Sequence, residues 1–395
     1  MPSTPRDELD HRIGALQRHL RTQQVDAALI SQNIDLFYFT GSMQSGTLLV
    51  PADGRPVYAV RRVLERARTE SALEEIVALE SFRQLPDLLR GAAGRTPRRI
   101  GLEHDVLPVA VRDRLAAVFE DAAWVDVSAA IRTIRAVKSP YELDKQRAAG
   151  GLSALMLEAA VGSLREGITE LDLAGRIEAA ARRAGHQGLV HMRGWNQEMF
   201  YGQVSGGDAG ALQSFPDIPL AGAGPSAASP TGAGWRRIVA GEPVIFDYVA
   251  ALDGYLCDQT RTLVIGAMPE KFARAHDAAV AILTDVQSAI RPGVTPQDLY
   301  RRAVARAEVL GYADHFMGQG SLRARFVGHG VGLELDEWPV LAEGWTQPLE
   351  PGHVFCVEPK IVFPGEGAVG IEDQFAVTPD GAERLTRSAQ RLAAI

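Results

Sequence analysis

The stretch Pro243-Val-Ile-Phe-Asp-Tyr-Val-Ala-Ala-Leu-Asp-Gly254, continued by Tyr255-Leu-Cys-Asp-Gln-Thr-Arg-Thr262, decides the fold. Asp253-Gly254 is a two-residue turn signal between two apolar runs. Such a turn pairs residue 252 with 255 and residue 249 with 258. Side chains alternate along a strand, so Asp247 shares a face with Val249, and Asp258 opposite Val249 shares it too. The two aspartates are then diagonal neighbours, about 7–8 Å apart between Cα atoms. Two carboxylates held together among buried apolar residues repel and lose hydration unless a cation lies between them.

A second hairpin repeats the theme. It runs Val354-Phe-Cys-Val-Glu-Pro359, turns through Pro364-Gly-Glu-Gly367 and returns as Ala368-Val-Gly-Ile-Glu-Asp-Gln-Phe375. Glu358 and Glu372 share a face if the loop has an odd number of residues, and Gly365 and Gly367 supply the positive φ such a loop needs. Between the hairpins, Val327-Gly-His-Gly-Val-Gly-Leu333 leaves His329 unobstructed. Singly, each piece has an ordinary structural reading. Together, Asp247, Asp258, Glu358, Glu372 and His329 form an oxygen-rich cage with one nitrogen. That donor set suits two divalent ions, Mn, Co, Zn or Fe. Paired ions about 3.5–4 Å apart can bridge a hydroxide and polarise a carbonyl.

Outward from the hairpins, helices are expected over 270–291 and 296–310. Strands are expected over 243–249, 255–265, 353–358 and 368–377. Two strand pairs flanking a helical block point to a pseudo-duplicated α+β domain. Residues 205–235, rich in Gly, Ala, Ser and Pro, read as a long irregular connection of the kind that often carries a substrate loop. Ser139-Pro140 opens a helix. Thr169-Glu-Leu-Asp172 resembles a capping box at the next. The first third alternates helix and strand: a helix over 7–23 with Leu9, Ile13, Leu16 and Leu20 on one face, then strands at 26–30, 47–50, 56–60 and 99–103, and helices at 62–73 and 107–120. That alternation predicts an α/β domain, with a boundary near Ile131–Tyr141.

Composition bounds the function. The 395 residues hold 46% apolar and 23% charged residues, enough for a full core. The net charge of −8 argues against phosphate-neutralising nucleic-acid binding. Only Cys257 and Cys356 occur, so a disulfide scaffold is excluded and a reducing, cytoplasmic compartment is expected. The first residues lack a signal-peptide core, and no run is long enough to span a bilayer, so no membrane role is expected.

As an ordered set, Asp247, Asp-Gln-Thr-Arg-Thr at 258–262, Gly-His-Gly-Val-Gly at 328–332, Val-Glu-Pro at 357–359 and Gly-Ile-Glu-Asp at 370–373 resemble the pita-bread metallopeptidases. These are aminopeptidase P, prolidase, methionine aminopeptidase and the related creatinase. The resemblance implies a creatinase-type α/β N-terminal domain over residues 1–135 and a pita-bread catalytic domain over 136–395. It implies that Asp247, Asp258 and Glu372 hold one metal, and that Asp258, His329, Glu358 and Glu372 hold the other. It also implies Glu358 as the general base and a homodimer.

The same resemblance exposes departures. Proline-specific members carry a histidine in a Pro-His-Gly segment, where Pro230-Thr231-Gly232 stands here. They carry histidines four residues before and seven after the metal histidine, where Arg325 and Asp336 stand. Arg is usual two residues before the last glutamate, where Gly370 stands, and Tyr is frequent where Val362 stands. Arg325 is expected either to pair with Asp336 or to grip a substrate carboxylate. His191, Arg193 or Trp195, from the polar segment 191–198, is expected to line the pocket. Cys257 and Cys356 are expected to be small core fillers.

Three functions follow as expectations. The first is an Xaa-Pro peptidase-like metallohydrolase acting on a small peptide. The second is a metal-dependent lyase or C–N hydrolase on a small carboxylated metabolite, a chemistry exemplified within the family by dimethylsulfoniopropionate lyases. The third is a catalytically silent binding protein of the same fold.

Overall fold

The computed structural model describes residues 4–395. The chain divides between Arg135 and Ala136 into two compact units.

The first unit is built in chain order from α1 (Arg6–Thr22), β1 (Ala27–Ile30), α2 (Asn33–Thr40), β2 (Gly46–Pro51), β3 (Val57–Val60), α3 (Leu64–Glu70), β4 (Ile76–Ala78), α4 (Leu85–Ala93), β5 (Arg99–Leu102), α5 (Val109–Ala116) and β6 (Ala123–Asp126). The strands form one mixed sheet in the order β4-β3-β2-β1-β5-β6. Leu9, Ile13, Leu16 and Leu20 are the buried stripe of α1, as their spacing predicts. The apolar stretch from Asp35 to Thr40 is helical. Gln32 caps it by accepting from the Asp35 amide, and Gly41 ends it at φ 74°. Leu29, Leu49, Ile100 and Leu102 are part of the apolar core of the sheet.

The second unit is reached through α6 (Ser128–Ala136) and holds two similar halves. In the first, α7 (Pro140–Ser163) and α8 (Glu170–Arg183) pack on the hairpin of β8 (Val244–Leu252) and β9 (Tyr255–Val264), beside β7 (Gly202–Gly206). Ser139 caps α7 in a reciprocal box with Glu142. Thr169 caps α8 by accepting from the Asp172 amide. In the second, α9 (Glu270–Ala289) and α10 (Pro296–Val309) pack on β10 (Phe326–Gly330), β11 (Glu337–Ala342), β12 (Val354–Val357), β13 (Lys360–Phe363), β14 (Gly367–Gly370) and β15 (Asp373–Thr378). Strands β16 (Gly381–Arg384) and β17 (Ala393–Ala394) close the sheets.

The first hairpin has the register its turn predicts. Leu252 faces Tyr255 and Val249 faces Asp258. Asp253 and Gly254 take φ of 51° and 89°, positive at both central positions as a tight hairpin turn requires. The second hairpin is split. Strand β13 pairs with β14 across a three-residue loop, with Phe363 facing Gly367 and Lys360 facing Gly370. Strand β12 pairs with β15, with Val357 facing Asp373. The same register runs through both pairs, so Glu358 and Glu372 lie opposite each other at the break. The irregular connection starts later than its composition suggests: β7 and a short 3-10 turn at Gly207–Ala211 precede it. Among the described residues, no helix is long and apolar enough to cross a membrane.

Candidate metal centre

Strand alternation delivers the side chains to one place. Asp247 and Asp258 come from one face of the first hairpin, and Glu358 and Glu372 from the break in the second. His329 comes from β10, where Gly328 and Gly330 permit close approach. A Cβ at Gly328 would meet the Cys356 carbonyl at 2.0 Å, and one at Gly330 the Trp338 carbonyl at 2.3 Å. His329 Nε2 stands 3.8 Å from Asp258 Oδ2 and 3.6 Å from Glu358 Oε1. Asp258, His329, Cys356 and Glu372 each bring one ligand atom within 4.8 Å of the others. Thr260, opposite Asp247 in the register, donates to Glu372 Oε2 at 2.7 Å.

Asp336 stands behind the histidine, its Oδ1 3.5 Å from Nδ1. His329 Nδ1 hydrogen-bonds to the Gly330 carbonyl at 3.2 Å, and with the Asp336 carboxylate beside it this fixes the ring and leaves the other nitrogen as a ligand. Burial pushes the His329 pKa down, but Asp336, Glu358 and Glu372 outweigh it and the net direction is up.

The acids are electrostatically crowded. Burial, then Glu372, Asp247 and Glu358, drive the Asp258 carboxyl well above the usual range. Burial raises Glu358 to about 7 against the pull of Lys360 and His329. Glu372 moves down, because Lys360 and His329 more than offset its burial. Asp258 Oδ1 and Glu372 Oε1 are buried and have no hydrogen-bond partner. Buried oxygens of this kind are costly unless a cation meets them.

Donor atoms on one four-coordinate ion at about 2.1 Å stand about 3.4 Å apart. The spacing around His329 is of that order, and the two orphan oxygens belong to the same group. Carboxylates with one imidazole fit a divalent ion on this side. The Asp247 side differs. Lys360, with no exposed surface, places Nζ 3.0 Å from Glu358 Oε2, 3.2 Å from Glu372 Oε2 and 3.7 Å from Asp247 Oδ2. An ion beside that ammonium would meet a like charge. Two unit charges 4 Å apart repel by about 4 kcal/mol at an effective dielectric of 20.

The model of metallopeptidase family M24 matches residues 144–379. The chain belongs to metallopeptidase family M24. It is an enzyme of the metallohydrolase class. The creatinase/prolidase N-terminal domain model matches residues 12–137. An uncharacterised peptidase of Staphylococcus aureus (strain bovine RF122 / ET3-1) is 28% identical over 382 residues, covering 95% of this chain and 98% of that protein. An Xaa-Pro dipeptidase of Pyrococcus furiosus is 25% identical, covering 97% and 100%. In fold, the chain is similar to an Xaa-Pro dipeptidase from Bacillus anthracis (TM-score 0.84, 22% identity, 98% and 100% covered). It is similar also to a prolidase from Pyrococcus horikoshii OT3 (TM-score 0.80, 24% identity, 96% and 99% covered).

This M24 chain places the remaining candidate residues unevenly. Arg325 is exposed to solvent and Asp336 faces His329, so the expected Arg325–Asp336 pair is not formed. Trp195 is 89% exposed, and Arg193 is buried against Glu334 at 3.5 Å. The His191 carbonyl accepts from the Leu335 amide at 2.9 Å, which brings that residue's backbone beside the Asp336 segment. Thr231 is half-buried, and the neighbouring Gly232 amide donates to Ala221. Cys257 packs in the helix-side core. Cys356 is likewise a buried core residue, packed with Val249, Leu256 and Val331, and it also borders the cage, its thiol donating to the His329 carbonyl at 3.5 Å. Burial and the surrounding carboxylates push that thiol well up. Lys360 was not anticipated. The signal was present in strand alternation: two residues beyond Glu358, Lys360 falls on the same face.

Proposed function

We propose that this M24 chain is a divalent-metal-dependent amide hydrolase acting on small peptides, with Xaa-Pro dipeptides as the first substrates to test. The observation that carries the reading is the pair of orphaned, buried oxygens on Asp258 and Glu372 beside His329. Asp258, His329, Glu358 and Glu372 would hold the ion. A bound divalent ion of the Mn, Co, Zn or Fe type would polarise the scissile carbonyl and acidify a water. Glu358 takes the proton from the attacking water and passes it to the leaving amine. Asp336 orients His329, and Thr260 holds Glu372 in place. Two buried free cysteines support a reducing, cytoplasmic location, and a homodimer is part of the same proposal.

The test is a panel of Xaa-Pro and other dipeptides with protein stripped of metal and reloaded with each ion. Turnover that returns with metal and is absent from Asp258→Asn supports the reading. Thr231, Arg325 and Asp336 at the places of the expected histidines favour a second reading, a C–N hydrolase or lyase on a small carboxylated metabolite. Metal-dependent turnover of such compounds with none of any dipeptide would select it.

A further inference from the structure

We infer that Lys360 is a built-in cation that takes the place of one of the two metal ions implied by the ligand set, leaving a centre for a single divalent ion on the His329 side. The inference rests on the metal-dependent reading above and changes the number of ions in it.

Three observations carry it. First, the Lys360 ammonium is fully buried and lies against three of the four acids, at 3.0 Å from Glu358, 3.2 Å from Glu372 and 3.7 Å from Asp247. Asp247 and Glu372 are two of the three ligands implied for one ion. Second, the backbone opposite makes room for this side chain. Gly370 faces Lys360 in the β13–β14 register, and a Cβ on Gly370 would come within 2.5 Å of Lys360 Cδ. The lysine stem therefore runs through space that any other residue at position 370 would fill. Third, the buried carboxylate oxygens of the cage without a partner are Asp258 Oδ1 and Glu372 Oε1, whereas Lys360 already meets the other oxygen of Glu372 and Oε2 of Glu358, and Asp247 is partly exposed. Among the buried acids, demand for a further cation thus falls beside Asp258 and His329.

The test counts metal in the full-length protein. Wild type, Asp247→Asn, Asp258→Asn and Lys360→Gly are loaded with excess Mn, Co or Zn and dialysed. Bound metal is measured by elemental analysis, with the spin-resonance spectrum of the Mn form alongside. Wild type is expected to hold one equivalent with the spectrum of an isolated Mn ion. Asp247→Asn is expected to keep that equivalent, and Asp258→Asn to lose it, with affinity down by about 100-fold or more. Lys360→Gly, which opens the Asp247 side, is expected to gain a second equivalent and a spin-coupled spectrum. Two equivalents in wild type, or a fall from two to one in Asp247→Asn, would overturn the inference while leaving a metal hydrolase intact. Folded Lys360→Gly that still takes only one equivalent would also overturn it. No bound metal in wild type would remove the hydrolase reading itself. Should Lys360→Gly not fold, wild type and Asp247→Asn decide the matter alone.

Discussion

Strand β9 and the start of β15 carry opposite kinds of polar chemistry on their two faces. On one face Asp258, Thr260 and Glu372 enter the cage, where two carboxylate oxygens have no partner. On the other, Arg261 and Asp373 form a buried pair at 2.6 Å. There Arg261 also donates to the carbonyls of Thr260, Glu372 and Ala389. Asp373 accepts from Thr386, Gln390 and Arg384. Both faces are buried and charged, so burial alone does not separate structure from function. Unmatched charge does. The Arg261 and Asp373 charges are met by each other and by further partners, whereas two carboxylate oxygens of the cage are not, and the unpartnered group on the Arg261 face is the neutral Gln259 amide. A buried charge left unmatched costs far more than a buried amide and calls for a cation.

Substitutions can break that contrast, and the largest effect belongs to the open face. Asp258→Asn is expected to abolish metal binding and metal-dependent turnover. In chelator its stability should match or exceed that of wild type, because one crowded acid is gone. Thermal unfolding with and without metal checks both halves, and a variant much less stable in chelator would mean that the cage is structural after all. Arg261→Met should act the other way. Removing one partner of a buried pair costs about 3–5 kcal/mol, and the loss should be the same with metal or chelator in denaturant titrations. A loss that vanished in chelator would tie the back face to the ion.

Smaller effects sharpen the comparison within the cage. Asp336→Asn should weaken metal affinity by about 10–100-fold through a less firmly oriented His329, read by competition with a chromophoric chelator. Stability in chelator should change little, since Asp336 is partly exposed. Gly370→Ala should cost about 1–3 kcal/mol, because the new methyl overlaps the Lys360 stem. In the Lys360→Gly background the same methyl has space, so that penalty should shrink. Equal penalties in both backgrounds would show that Gly370 serves something other than the lysine.

Much of this was legible in the chain. The Asp253-Gly254 turn sets a register that places Asp247 and Asp258 on one face, because a two-residue loop leaves no freedom to slip. The three-residue loop at 364–366 does the same for Glu358 and Glu372. The rest was hidden where local pattern carries no information about neighbours. Arg325 has a side chain suited to pairing with Asp336, but its backbone leaves it in solvent. Arg193 has a buried partner 141 residues away, which no spacing rule reveals. Lys360 was hidden for another reason: a lysine is ordinarily read as surface, and it took the glycine opposite and three acids around it to keep one inside.

The sequence by itself determined the two hairpins, their facing acids and the glycine-flanked histidine, because turn length and strand alternation are local properties. Only the tertiary structure decided which oxygens are left without partners and which are met by Lys360. That outcome depends on β9, β10, β13 and β15 converging, and on a side chain at one position finding the space left by a missing one at another.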